Sequence, residues 1–214
     1  TWTAAYTANS SDSEGSVTYS IAFTDSAGNN GVAVTSGSGS VTFDKTLPTL
    51  SNLDLSSNNA TTTLAKPNNI VTLQFTASEE IQTPVVTFKS NNVAVSDSSI
   101  TYTNVTGNTW TSAYTVDTND TDGQVTYSIA FSDIADNNGD AVTSGNSNGI
   151  TVDTTLPTLS NIDLSSNNTT TTLAKPNDVV TLQFEASETI TDPTVTFQSG
   201  GDDITGSVSL SKSG

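Results

Sequence analysis

The stretch QVTYSIAFSD, residues 124–133, sets large apolar side chains against small or polar ones in strict alternation. Val125, Tyr127, Ile129 and Phe131 lie two apart. Successive side chains of a strand point to opposite faces, so this period, with its β-branched and aromatic content, predicts a half-buried antiparallel strand. The same pattern stands earlier as SVTYSIAFTD at 16–25, where Val17, Tyr19, Ile21 and Phe23 take the alternate places. It recurs with other residues in IVTLQFTAS at 70–78, through Val71, Leu73, Phe75 and Ala77. Further strands are expected at 50–57, 84–89, 98–104, 109–116 and 149–153, and no segment carries a helical period.

The duplication runs through the whole chain. Trp2 recurs as Trp110 (110 − 2 = 108), and Pro48 as Pro157 (157 − 48 = 109). The one-residue difference falls in a Ser/Gly/Asn loop, GSGS at 37–40 against GNSNG at 145–149. Solenoids and propeller blades repeat at about 20–50 residues, so a period near 108 is one small domain and not a structural coil. FDKTLPTLSNLDLSSNN at 43–59 and VDTTLPTLSNIDLSSNN at 152–168 mark the lead-in. Proline fixes φ and donates no hydrogen bond, which places Leu-Pro-Thr-Leu at a linker or strand start. Cutting there gives one complete repeat at 46–154, flanked by the C-terminal half of a preceding repeat at 1–45 and the N-terminal half of a following one at 155–214. Neither flank by itself carries enough strands to close a core. A window onto a longer tandem array is the expected setting.

About seven short strands per repeat, separated by Asn/Asp/Gly turns, predict an all-β fold: tandem immunoglobulin-like β-sandwich domains. The chain has no cysteine, so no disulfide joins the sheets and packing alone must hold them. Phe75, Phe88, Trp110, Tyr114, Tyr127 and Phe131 are the expected core aromatics, with Trp110, Ser112 and Tyr114 on one strand face.

Composition excludes several functions. Twenty-two Asp and Glu stand against five Lys, with no Arg, for a net charge of −17 over 214 residues. Nucleic acid and anionic membrane surfaces need clustered cations, and neither is an expected partner. No direct membrane insertion is expected of this segment. The chain has no histidine and no cysteine, so Ser–His and Cys–His nucleophile pairs are impossible and the usual transition-metal ligands are missing. Glu79, Glu80 and Glu188 follow strands in TASEE and EASET, but Thr189 replaces the second acid in the later copy. Glycoside hydrolysis needs two carboxylates across a cleft, and a catalytic role is not expected.

The combined motifs carry a resemblance. Trp2 and Tyr6 on one strand, Gly15, Val17 and Ile21 on the next, the loop of Asp25, Ala27, Gly28 and Asn29, and the linker of Asp44 and Pro48 resemble the bacterial Ig-like repeats of large extracellular surface adhesins. Trp110, Tyr114, Asp122, Gly123, Val125, Ile129, Asp133, Ala135, Asn137, Asp153 and Pro157 repeat the pattern, with Asp136 where the first copy has Gly28. The resemblance implies a stalk that holds a binding domain away from the cell, an extracellular bacterial or archaeal surface location, and neighbouring repeats of the same chain as partners. It also admits Ca²⁺ at domain junctions. A subunit of a self-assembling surface layer or extracellular filament, with the half-repeats completed by identical subunits, is the alternative. The Asn-x-Ser/Thr triplets at Asn9, Asn59, Asn104, Asn119, Asn167 and Asn168 fit such a surface but arise readily by chance in this composition. A carbohydrate-binding module would expose aromatics, whereas the alternation here places them inside.

Two loops concentrate oxygen ligands: DTNDTDG at 117–123, with Asp117, Asp120 and Asp122, and DIADNNGD at 133–140, with Asp133, Asp136 and Asp140. Ca²⁺ takes six to eight oxygens, and Asp/Asn-rich loops with glycine supply them. Neither loop matches an EF-hand. The competing reading is a β-turn, in which Asp, Asn and Gly serve the backbone. The first copy keeps Asp25 but puts Gly28 and Val32 in place of Asp136 and Asp140. Asp44 and Asp153 immediately precede the linkers, where a junction ion would draw on them together with Asp25 and Asp133, or where they serve as solvated strand ends.

Overall fold

A computed structural model describes residues 1–143, 149–204 and 206–212. It is all-β, and divides into two compact units, Thr1–Thr154 and Thr155–Gly214. Four residues of the GNSNG loop, 145–148, lie outside the described residues.

The first unit opens with two short strands, β1 (Gly15–Ser16) and β2 (Thr42–Phe43), which pair antiparallel. There follow β3 (Leu50–Ser57), β4 (Leu64–Ala65), β5 (Ile70–Ala77), β6 (Val85–Ser90), β7 (Val93–Ala94), β8 (Thr101–Thr106), β9 (Thr109–Thr115), β10 (Gly123–Ala130), β11 (Val142–Thr143) and β12 (Thr151–Val152). One sheet has the order β3-β5-β9-β8; the other runs β4-β12-β10-β6-β7, with β11 also on β10. All pairs in both sheets are antiparallel except β12 with β4.

The alternation in the sequence becomes the packing between these sheets. On β5, Val71, Leu73, Phe75 and Ala77 are buried, and on β10 so are Val125, Tyr127 and Ile129, with Phe131 just beyond. The six expected core aromatics all lie in one cluster with them. Phe88 of one sheet meets Tyr114 of the other at 4.9 Å between ring centroids, tilted by 41°. Burying an aromatic ring against its neighbours in this way is the main source of stability for a sandwich without a disulfide.

Within the complete repeat three short strands, β4, β7 and β11, have no counterpart among the expected ones, and neither does β2 before it, because two residues carry no readable period. The strand expected at 98–104 begins only at Thr101. Asp97 explains the delay: its Oδ2 accepts the Thr115 N–H at 2.8 Å, where a strand partner would otherwise sit, and its Oδ1 turns back to the Ser99 N–H at 2.7 Å. The expected half-buried strand at 17–23 is a larger correction. Only Gly15–Ser16 is a strand there, and Tyr19, Ile21 and Phe23 are exposed. Its equivalent in the complete repeat, β10, is held along six residue pairs by β6. Residues 1–45 contain no such strand, so the same sequence stays open.

In the second unit, β13 (Leu159–Ser166) pairs with β14 (Val180–Ala186), and β15 (Gln198–Ser199) with β16 (Asp202–Asp203). The pairing repeats β3 with β5 down to its irregularity. A bulge interrupts both ladders, between Ser51 and Asp54 and between Ser160 and Asp163, with Asn52 and Asn161 at φ 52° and 50°. Asparagine is among the few side chains that tolerate this left-handed conformation, so the bulge is written into the sequence.

Two core substitutions should separate packing from polarity. Phe75→Ala is expected to cost about 3–5 kcal/mol in denaturant unfolding, from lost burial and the cavity left behind. Tyr114→Phe should leave stability unchanged or raise it by about 1 kcal/mol, because the Tyr114 hydroxyl is buried without a hydrogen-bond partner among the described residues.

Candidate metal centre at the repeat junction

Three chain segments meet at the end of the sandwich where the linker arrives. Thr49 and Ser78 exchange hydrogen bonds, Thr49 N–H to Ser78 Oγ at 2.9 Å and Ser78 N–H to the Thr49 carbonyl at 2.9 Å. Pro48 is buried beside them. The turn after β5 is tied to the loop after β10 by Gln82, whose N–H reaches the Ser132 carbonyl at 2.9 Å and whose Nε2 reaches the Asp133 carbonyl at 3.0 Å. Gly139 completes the contact: a Cβ there would strike the Phe131 ring and the Pro48 carbonyl oxygen. Only glycine lets the linker lie this close.

Asp133 organises its loop. Its Oδ1 accepts the Ala135 and Asn137 N–H groups, both at 2.8 Å, and its Oδ2 accepts Asn137 Nδ2 at 2.8 Å. The turn hydrogen-bonds to its own side chain, as Asp-led turns do. Asp25 holds the earlier copy identically, through Ala27 N–H at 2.9 Å and Asn29 N–H and Nδ2 at 2.8 Å. The Gly28 position has φ 92°, and Asp136, its replacement, sits at φ 68°, a conformation that aspartate tolerates. Asn137 Nδ2 also reaches the Asp44 carbonyl at 3.3 Å, joining the loop to the linker.

That convergence brings carboxylate oxygens of Asp44, Glu79 and Asp133 within 4.8 Å of one another. Asp133 is fully buried, and Asp44 and Glu79 are half-buried. A carboxylate has about four lone-pair sites, and three of those on Asp133 are filled, leaving one for a cation. Asp44 spends Oδ1 on the Thr46 N–H at 3.0 Å. Desolvation pushes the Glu79 carboxyl above its ordinary value, and repulsion from Asp44, Asp133 and Glu14 adds to the shift. Burial also acts to raise Asp133, but the bonds from Asn137 and Ala135 outweigh it and hold this carboxyl below its ordinary range. An all-oxygen donor set of this kind suits a hard divalent cation.

The sequence suggested Asp44 and Asp153 as junction ligands, with Asp25 and Asp133. Of these the structure brings Asp44 and Asp133 together, leaves Asp25 and Asp153 out of the triad, and adds Glu79, which the sequence pattern passed over as a ligand. Its signal was available: Glu79 and Glu188 hold equivalent places in TASE and EASE (188 − 79 = 109). Asp136 is exposed and accepts Gln82 Nε2 at 2.6 Å, and Asp140 is exposed; neither belongs to the triad. The 117–123 loop serves the backbone. Asp117 Oδ1 accepts the Asn119 N–H at 2.9 Å, and Asp120 accepts the Asp117 N–H at 3.0 Å and the Ser96 N–H at 2.7 Å. Asp122 Oδ1 grips the outgoing linker, taking the Thr154 N–H at 2.6 Å and the Thr154 hydroxyl at 2.7 Å. Glu14 does the same one repeat earlier, accepting the Lys45 N–H at 2.9 Å and the Thr46 hydroxyl at 2.7 Å. Asp153 donates its N–H to the Ala65 carbonyl at 2.9 Å at the start of that linker.

Opposite effects of acid follow for the two carboxylates in EDTA. Glu79, raised in the folded state, weakens the fold at neutral pH and ceases to do so below its ordinary value of 4.5. Glu79→Gln should therefore raise Tm at pH 7 and make no difference well below pH 4.5. Asp133, depressed in the folded state, contributes stability above 3.8 that is lost as pH falls through its lowered value. Asp133→Ala should lower stability at pH 7 by more than about 2 kcal/mol, since it strands buried N–H donors. No protein-family model matches the chain, and no curated protein or solved structure is significantly similar to it.

Proposed function

We propose that this chain is a spacer: a run of immunoglobulin-like sandwiches in a large extracellular surface protein, whose junctions are stiffened by hydrogen bonds and by Ca²⁺. The sheet orders β3-β5-β9-β8 and β12-β10-β6 fit the two sheets of an immunoglobulin-type domain. Among the described residues no helix is long and apolar enough to cross a membrane. The observation that carries the reading is the Asp44–Glu79–Asp133 convergence, because Asp44 belongs to the linker and the other two to the sandwich that the linker enters. An unrestrained linker lets neighbouring domains move independently. Here Glu14 holds one side of the linker, and Pro48, Thr49 and Ser78 fix the other. Divalent charge placed among three carboxylates turns their repulsion into attraction and locks the linker to the sandwich.

The experiment is a thermal melt of the full chain in EDTA and in Ca²⁺, with Glu79→Gln and Asp44→Asn alongside. A ligand that binds only the folded state adds RT ln(1 + [L]/Kd), about 2.7 kcal/mol at a hundredfold excess over Kd. Ca²⁺ should raise Tm of the parent chain and leave both variants at their EDTA values. An unchanged Tm in Ca²⁺, or a shift that survives both substitutions, overturns the junction site.

A further inference from the structure

We infer that Tyr102 guards an open sheet edge: its hydroxyl stands where a neighbouring strand would, on β6, and keeps near-identical repeats from joining edge to edge. β6 is covered on one side by β10 along six residue pairs. On the other side β7 covers it only at Lys89 and Ser90. The turn that brings β7 back is Asn91-Asn92, with φ 49° and 66°, the pair of left-handed residues that a two-residue hairpin favours. The Phe88 carbonyl then accepts the Val95 N–H at 3.3 Å, and the chain departs at Ser96, whose N–H goes to Asp120 Oδ1 at 2.7 Å.

The rest of β6 lies beyond the reach of β7. Backbone groups of an antiparallel strand turn to alternate sides. The Val125 N–H goes to the Ile150 carbonyl at 2.8 Å, away from β6. Ser90, opposite Val125, therefore turns its own groups away from β10, and Val86, four residues back, does the same. Val86 thus offers a donor and an acceptor to the open side. Tyr102 takes both: its hydroxyl accepts the Val86 N–H at 3.4 Å and donates to the Val86 carbonyl at 3.3 Å. Pro84, two residues before Val86, has no N–H to offer a partner strand.

Tyr102 comes from β8, at the edge of the opposite sheet, and its half-buried ring packs against the core. One side chain therefore spans from sheet to sheet and ends on the backbone that β7 leaves uncovered. The outer strands of the repeat are closed to pairing in other ways. β3 and β8, the edges of the four-stranded sheet, are each broken by a bulge. β4 and β7, the edges of the other sheet, are two residues long. Bulges and short edge strands both block pairing with a second sheet. In a chain that writes its strands again every 108 or 109 residues, a matching strand is always close by, and misassembly between neighbours is the characteristic failure of repeat proteins. The inference uses no metal ion, so it stands or falls apart from the calcium reading.

Tyr102→Phe in the full chain, in EDTA, tests it, because this variant keeps the ring and removes only the hydroxyl. Amide exchange at Val86, followed by NMR, should quicken about fivefold, the effect of one lost hydrogen bond, while the amides of β5 keep their parent rates. Near-millimolar samples held well below the melt should form β-sheet aggregates faster than the parent chain, read by sedimentation and dye fluorescence. Association through any other surface cancels in that comparison. Val85→Lys sets a charge on the exposed face of the same edge. Added to Tyr102→Phe, it should restore the parent's rate of association and leave the Val86 exchange fast. Unchanged exchange at Val86, association no faster than the parent's, or association that Val85→Lys leaves untouched would each overturn the guard.

Discussion

An apolar sheet face must be covered by another, and most of this structure follows from that constraint. Where both sheets are present, Phe88 and Tyr114 meet across the gap and the alternating residues of β5 and β10 leave water altogether. Where one set is missing, the same alternation gives exposed side chains: Ile21 is as apolar as Ile129 but has no opposing sheet in residues 1–45. With no cysteine to bridge the sheets, burial of their facing apolar sides holds them together.

A net charge of −17 sets carboxylates in mutual repulsion, yet most described acids are engaged locally. Asp25 and Asp133 close their own loops, Asp97 and Asp120 cap strand ends, and Glu14 and Asp122 hold linkers. Each accepts N–H groups that strand ends leave over, which stabilises the carboxylate and the turn together. The repulsion gathers at one place, around Glu79, where the linker brings Asp44 to the sandwich.

How far the sequence carries can be read from particular residues. The period of two in QVTYSIAFSD and IVTLQFTAS determined the all-β class and the core, since a strand's facing follows from covalent geometry alone. The spacing of Trp2 to Trp110 determined the repeat, and the Asp-x-Ala turn followed from aspartate's reach to its own backbone. Tertiary structure alone decided which acids come together. Asp44, Glu79 and Asp133 are distant in sequence, and their approach depends on the Thr49–Ser78 exchange, the Gln82 bridge and the bare Gly139, none of which has a local period. It also decided that identical apolar patterns are buried in one repeat and open in its flanks, because burial belongs to the pair of sheets and not to the strand.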